Sequence, residues 1–372
     1  MAPRLRQRRL RRVKLAVVLV HYRTPDLLGP ACDALVADAE AGGVELEGVV
    51  VDNGSDAGDR DLLRGLPFRC LDPGRNLGYS GGVNLGFRET SADLVVVMNP
   101  DVLVLPGCLA ALAGALEDGA AAAGPRLFWD HGRRFLLPPT EEVSRRAELS
   151  RMLAERGPGW AKRARRRWRR HARRHWLAHT PSASYDLSGA LLAIRRSAWR
   201  QAGPFDDGYR LYFEETDWLL RLRAAGLEAR LVPAAEAVHL FAQSTVGEPR
   251  ADGWFLESQR RFRRRAYGAA FTRFLELAGR PRQGPAAEAA PLADGWRERA
   301  GWIEVSSSSI GYPAAGRRLR AAAASPDRRS ADGAPPDRLP PEILARLAAG
   351  TYTLRAVDER GRELGARAFQ NP

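Results

Sequence analysis

Three short apolar runs stand near the start of the chain: Leu15–Val20, Gly48–Val51 and Leu94–Met98. Each is rich in Val and Leu without polar alternation, the pattern of strands buried on both faces of a parallel sheet. Helix-like stretches, Pro25–Ala41 and Asn84–Thr90, lie between them. The order strand, helix, strand, helix, strand predicts an α/β domain with a mostly parallel sheet. Polar residues follow each run directly: His21-Tyr22, Asp52-Asn53 and Asn99-Pro100-Asp101. Ligands in open α/β sheets bind at the carboxyl ends of strands, so the three clusters predict one shared crevice.

Farther along, Leu187–Ile194 is expected to be a strand, Glu215–Ala225 a helix closed by Gly226, and Glu228–Val232 a strand ending before Pro233. Residues 254–278 form an arginine-rich amphipathic stretch, expected as one closing helix. Residues 280–300 shift to Pro, Gly, Ala and charge, which is linker composition. Beyond them Trp302–Ile310, Thr351–Val357 and Glu363–Phe369 are expected as strands, the last two joined by a turn at Glu359-Arg360-Gly361. Ala314–Pro341, rich in Ala, Arg and Pro, is expected as a long loop. The division that follows is a basic tail over 1–13, an α/β domain over 14–280, a linker over 281–300 and a small β-rich module over 301–372.

The 372 residues are 45% hydrophobic and 27% charged, which excludes a disordered chain, a collagen and a small disulfide scaffold. Cys32, Cys70 and Cys108 form no CxxC pair and suit a reducing compartment. No apolar run approaches the roughly 20 residues of a bilayer span. The basic start before Leu15–Val20 imitates a signal peptide, but the run is short and no small-residue cleavage site follows, so a cytoplasmic location is expected. The net charge of +14 is confined to two patches: residues 1–14 carry seven Lys/Arg and residues 160–176 carry nine, both without acids. The remaining 42 basic and 44 acidic residues nearly cancel. Only Lys14 and Lys162 are lysines, and guanidinium favours bidentate contact with phosphate or carboxylate. Nucleic acid and an anionic membrane surface fit such patches equally, as does a plain solvated helix face.

Two nucleotide signatures are absent: no GxxxxGK[ST] occurs, and no GxGxxG follows the first strand. What is present is an ordered set. Val49–Ser55 ends at Asp52-Asn53-Gly54-Ser55, and Asn76–Gly86 is glycine-rich and runs into a helix. Then come Asn99-Pro100-Asp101, Ser188-Gly189-Ala190, Phe213-Glu214-Glu215-Thr216-Asp217-Trp218, and His239 with Ser244. In this order and spacing the chain, over about residues 14–280, resembles the inverting family 2 glycosyltransferases, especially their rhamnosyltransferase-like branch.

The resemblance implies a glycosyltransferase A-type fold. It also implies metal-dependent transfer of a sugar, with inversion, from a UDP- or dTDP-sugar to an acceptor hydroxyl of a bacterial surface glycan or glycolipid intermediate. It assigns Asp52, Asn76, Gly78, Gly81, Gly82 and Asn84 to the nucleotide. A carboxylate at a strand end accepts the imide N–H of uracil or thymine, and capping the following helix is the minor alternative for Asp52. Glycines let backbone approach a pyrophosphate at a helix N-terminus, and they also serve plain tight turns. Asp101, with His239, is implied as the site of Mg²⁺ or Mn²⁺, hard cations that need few protein ligands when phosphates supply the rest. Without the resemblance a lone histidine is by default structural, and for an acid after Pro a surface turn is the minor alternative.

The family's Glu-Asp-x-Asp motif supplies the general base at its second acid, here Glu215, longer by one methylene, with Asp217 as reserve. Gly189, Glu214 and Trp218 fall on the acceptor side. Acids in the first turn of a helix also have a purely structural reason. Trp160, Trp168 and Trp176 interleave the basic stretch, which suits a membrane interface carrying a polyprenyl-linked acceptor. Single-stranded nucleic acid is the secondary reading. Two alternative classes stay open: a nucleotide-sugar-binding protein without catalysis, and a basic nucleic-acid-associated protein whose affinity falls steeply with salt.

Overall fold

The computed structural model describes residues 13–55, 57–240, 250–279, 291–292, 294–319 and 338–372. The first half alternates strands and helices: β1 (Lys14–His21), α1 (Pro25–Gly42), β2 (Glu45–Asp52), α2 (Ala57–Arg64), β3 (Arg69–Leu71), α3 (Gly78–Glu89) and β4 (Leu94–Met98). β5 (Val102–Val104), α4 (Cys108–Glu117) and β6 (Ala122–Phe128) follow, then α5 (Arg145–Ala154), α6 (Pro158–Trp176), β7 (Ser182–Ala183), β8 (Leu191–Arg195) and α7 (Arg196–Ala202). α8 (Glu214–Ala224) and β9 (Ala229–His239) complete the main sheet, and α9 (Ala251–Tyr267) and α10 (Ala269–Ala278) close over it.

The strand order is β3-β2-β1-β4-β8-β6-β9-β5, with β7 paired to β9. β3, β2, β1 and β4 run parallel, whereas β8 is antiparallel to both β4 and β6. The lack of alternation in the first apolar runs has its reason here. Leu15, Val17 and Leu19 face α1 and α4, while Ala16, Val18 and Val20 face α3 and α8. A Val or Leu buried this completely is worth roughly 1.5–3 kcal/mol.

A separate antiparallel sheet lies at the C-terminus. α11 (Trp296–Arg299), β10 (Trp302–Ser306), β11 (Ala315–Arg318), α12 (Pro341–Leu344), β12 (Gly350–Val357) and β13 (Glu363–Asn371) are its elements, in sheet order β11-β10-β12-β13. One face, with Ile303 and Val305, packs on Trp129, Phe135 and Leu137 from the segment after β6. The other presents Trp302 to Trp168 and Trp176 of α6.

Several expected boundaries shift. α3 begins at Gly78, six residues before the expected helix start. The stretch 254–278 is two helices meeting at Gly268. β8 begins only at Leu191. β9 continues through Pro233, because the register with β6 jumps there from Val232 opposite Pro125 to Glu236 opposite Arg126, and a bulge tolerates Pro. β11 lies inside the stretch expected as loop, of which 320–337 fall outside the described residues.

Candidate functional site

The strand ends converge as the topology requires. His21 at the end of β1 pairs with Asp52 at the end of β2, and Met98 at the end of β4 pairs with Leu19. Asn99-Pro100-Asp101 then turns into β5, which runs antiparallel to β9 with Val102 opposite His239. That register brings the Asp101 carboxylate to 3.4 Å from His239 Nε2, both residues being buried. The Leu240 amide donates to the Asp101 carbonyl at 2.9 Å and fixes the crossing. A carboxylate and an imidazole nitrogen held this closely suit a divalent cation whose other ligands are oxygen.

The residues assigned to the nucleotide divide. Asp52 Oδ1 accepts the amides of Gly54 and Ser55, at 3.1 and 2.8 Å, and so shapes the turn after β2. Asn76 is exposed, its Oδ1 accepting from the Gly78 amide at 2.8 Å. Together with Gly78 it lines two neighbouring cavities of about 90 and 250 Å³ that also share Arg210. Gly81, Gly82 and Asn84 have packing and hydrogen-bonding roles within the fold. Gly82 and Gly86 let α3 press on β1: a Cβ there would lie 2.8 Å from Val20 and 2.2 Å from Val18. A Cβ on Gly81 would meet Leu77 at 2.9 Å. The Asn84 side chain donates to the Phe205 carbonyl and to Asp207 Oδ1 and accepts from the Phe205 amide, at 2.7–3.0 Å. The start of α3 is likewise engaged, since Leu77, Gly78 and Tyr79 donate their amides to Asn53, Asn76 and the Arg210 carbonyl.

Beyond this crevice, Tyr212 and Phe213 lead into α8 with φ of +69° and +68°. Two successive bulky residues in the left-handed region are uncommon and costly, and such strain concentrates at functional sites. It delivers Glu214 and Glu215 to the first turn of α8. Glu215 leans on Gly189, where a Cβ would fall 3.0–3.1 Å from three of its side-chain carbons. Its carboxylate receives N–H donors from Gly189 and from the turn itself, and burial nonetheless holds it above the usual carboxylate range. Glu214 is raised further, by burial and then by Glu215 beside it, and its buried Oε2 has no hydrogen-bond partner among the described residues.

Tyr79 was not singled out from the sequence, yet it joins the parts. Its hydroxyl donates to the Gly189 carbonyl at 3.1 Å, and its pKa is raised by burial, then by Glu214, Glu215 and Asp101. Both acidic motifs therefore act on one phenol. Tyr79 did lie inside the glycine-rich motif, whereas Arg210 and its stacking partner Trp254, 4.9 Å apart, carried no signal at all.

Asp217 and Trp218 are engaged within the fold as well. Asp217 Oδ2 takes Arg221 at 2.9 Å and Oδ1 takes Arg265 at 3.0 Å, so both of its oxygens are held in ion pairs. Trp218 is wholly buried, donating to the Gly203 carbonyl at 2.9 Å, and belongs to the core. Glu215 instead lines a cavity of about 300 Å³ whose walls include Phe213, Phe255, Phe262 and Tyr267. Ser244 lies outside the described residues.

Gly189→Ala is expected to displace Glu215 while leaving β8 intact. A methyl at 3.0 Å from a side chain under such constraint should lower turnover about tenfold with little loss of stability. Unchanged turnover in steady-state kinetics would remove Gly189 from the site.

The basic stretch is helix α6, and it too divides. Arg165 and Arg169 point at the C-terminal sheet, with Glu363 and Glu304 as bidentate partners. Arg173 donates to the carbonyls of Asp358 and Glu359. Lys162, Arg163, Arg166, Arg170 and Arg174 are exposed, and Trp160 near the start of the helix is 48% exposed. No helix among the described residues is long and apolar enough to cross a membrane.

Comparison with known proteins gives the following. Residues 16–189 match the sequence family described as Glycosyl transferase family 2. The chain is 34% identical over 218 residues to an N-acetylglucosaminyl-diphospho-decaprenol L-rhamnosyltransferase of Mycobacterium tuberculosis, 54% of this chain and 68% of that protein. It is 24% identical over 230 residues to a low-salt glycan biosynthesis hexosyltransferase of Haloferax volcanii, 60% of this chain and 66% of that protein. Among solved structures, a mannosyltransferase from Pyrobaculum calidifontis in complex with GDP-Man and Mn²⁺ is similar at 16% identity and a TM-score of 0.44. That likeness covers 68% of this chain and 62% of the other.

Proposed function

Because the chain belongs to glycosyl transferase family 2, we propose that it moves a hexose of the rhamnose class from a dTDP- or UDP-sugar to a hydroxyl of a polyprenyl-diphosphate-linked sugar, with inversion. What supports this reading above all is the convergence of Glu215, Tyr79 and the Asp101–His239 pair at the carboxyl end of the sheet. The rhamnose and the lipid-linked acceptor rest on the 34% identical relative, whose name states both.

Asp52, Asn76 and Gly78 face the nucleotide in this reading, and Arg210, in the walls of both adjoining cavities, faces its diphosphate. Asp101 and His239 would hold the Mg²⁺ or Mn²⁺, whose chemistry there is to neutralise charge on the leaving diphosphate. Glu215 takes the proton of the acceptor hydroxyl as that oxygen forms its bond to the anomeric carbon, on the face opposite the departing group. The old anomeric C–O bond breaks, and its electron pair leaves with the nucleoside diphosphate. Glu214 is held above the usual carboxylate range by burial and by Glu215, which disfavours a second buried charge beside its neighbour. The apolar wall of Phe255, Phe262 and Tyr267 suits the lipid-proximal part of the acceptor. The exposed basic face of α6 suits the anionic membrane surface that would carry it, with the protein on the cytoplasmic side.

The direct test is transfer from dTDP-rhamnose and from a panel of UDP-hexoses to a synthetic polyprenyl-diphosphate N-acetylglucosamine, in the presence of Mn²⁺. One donor should give a product of inverted anomeric configuration. Failure of every donor, in protein that binds dTDP or UDP, would instead assign a nucleotide-sugar-binding role without catalysis. Asp101→Asn should abolish the Mn²⁺-dependent part of the thermal stabilisation by the nucleoside diphosphate. A metal-dependent shift as large as in the unsubstituted chain would remove Asp101 from the cation site.

A further inference from the structure

We propose a second metal site, of zinc type, formed by His171, His175 and Asp186 and independent of the Asp101–His239 pair. His171 and His175 stand one turn apart on α6, with rings 5.0 Å between centroids, and Asp186 comes from the segment leading into β8. One potential ligand atom from each lies within 4.8 Å of the other two.

The hydrogen bonds around His171 define its tautomer. Its Nε2 is 3.0 Å from the Thr140 carbonyl, which can only accept, so Nε2 carries the proton. Its Nδ1 lies 3.5 Å from Nη2 of Arg174, which can only donate, so Nδ1 presents a lone pair. That lone pair faces Asp186 Oδ2 across 4.0 Å, with the ring of His175 alongside. In that tautomer Nδ1 and the carboxylate make no hydrogen bond to each other, and a divalent cation displacing Arg174 from Nδ1 would bridge them. An imidazole whose second nitrogen donates to a backbone carbonyl is the usual arrangement of a metal-binding histidine. Zn²⁺, at about 2.0–2.1 Å from each ligand, would take the place at Nδ1 now held by the exposed Arg174.

The ligand chemistry separates this site from the first. Two imidazoles and one carboxylate select a borderline metal such as Zn²⁺, whereas phosphate oxygens with Asp101 select Mg²⁺ or Mn²⁺. Its position has a structural consequence. Thr140, which fixes His171 through its carbonyl, also donates its hydroxyl to the Leu187 carbonyl at 3.0 Å. Gly189, two residues on, supports Glu215. Zinc would thus tie α6 to the segment behind that carboxylate.

The test uses the full chain, free of any affinity tag and stripped with chelator, dialysed against Zn²⁺ alone and analysed for metal. One Zn²⁺ per chain is expected, retained in Asp101→Asn and lost in His175→Ala and in Asp186→Asn. Zn²⁺ at about a hundred times its Kd should raise the Tm of the unsubstituted chain by ~5 °C. This readout needs no variant and no sugar donor. Cobalt substituted for zinc should give the visible absorption of a tetrahedral site. Equal zinc binding by the unsubstituted chain and both ligand variants, no zinc retained at micromolar concentration, or loss of zinc in Asp101→Asn would each overturn the proposal.

Discussion

Glu215→Gln is expected to reduce sugar transfer by about 10²–10⁴-fold, the range a positioned general base contributes. The amide keeps the volume that fills the space against Gly189 and still accepts its N–H, so donor binding and folding should be unaffected. The loss should appear in kcat. Burial holds the Glu215 carboxyl above its ordinary value of 4.5. Below that raised pKa the base carries its proton, so kcat/KM of the unsubstituted enzyme should fall on the acid side at a pH higher than an ordinary glutamate would dictate. In Glu215→Gln the residual rate should lose that limb. Glu215→Asp restores a carboxylate one methylene shorter, the residue usual in the family at this position, and should recover part of the rate with the limb. A Gln variant retaining more than about a tenth of the rate, with its acid limb unchanged, would move the base elsewhere.

The second large effect concerns stability. Arg169 and Glu304 are each 2% exposed, and Arg169 Nη2 also reaches Glu363 at 3.3 Å. Arg169→Ala strands Glu304 without its counter-ion, which typically costs about 3–5 kcal/mol. Arg169→Lys should also destabilise, because an ammonium cannot reproduce the fork. The double variant Arg169→Leu with Glu304→Leu should recover most of the loss, since replacing both charges by apolar groups is often neutral or stabilising. Urea or thermal unfolding of the four chains checks this, and a double variant no more stable than Arg169→Ala would refute the pairing. Acid should act through the same cluster. Burial alone would raise the Glu363 pKa, but Arg165, Arg355 and Arg169 hold it at about 2 against an ordinary 4.5. Its contribution is therefore full above about pH 4.5 and disappears as the pH falls through 2.

These two cases mark what the sequence disclosed and what it did not. Strands buried on both faces announce themselves, and β1, β2 and β4 lie where their unbroken Val and Leu runs indicate. β6 was not foreseen, because Gly124 and Pro125 interrupt it and only the register jump against β9 accommodates the proline. Glycine was the most ambiguous signal. The same motif supplied Gly78 to a cavity wall and Gly82 and Gly86 to helix-on-strand packing, and spacing alone does not separate these uses. In α6 the arginines bound to Glu304 and Glu363 look like their solvent-facing neighbours in sequence. The deciding fact is a partner more than a hundred residues away. A helix turns successive residues to different sides, so Glu215 lines the cavity whereas Asp217 is held by Arg221 and Arg265 and Trp218 lies in the core.

The pairing of β5 with β9 has a consequence in time as well as in space. Asp101 and His239 are 138 positions apart in the chain, and nothing short of that strand pairing brings them together. At roughly 5–20 residues per second of synthesis, the aspartate waits about 7–28 s for its partner. Closing so long a loop is slow and occurs late in folding. A nascent or truncated chain that ends before β9 therefore holds the early strands but not the Asp101–His239 pair, which exists only once the main sheet is complete.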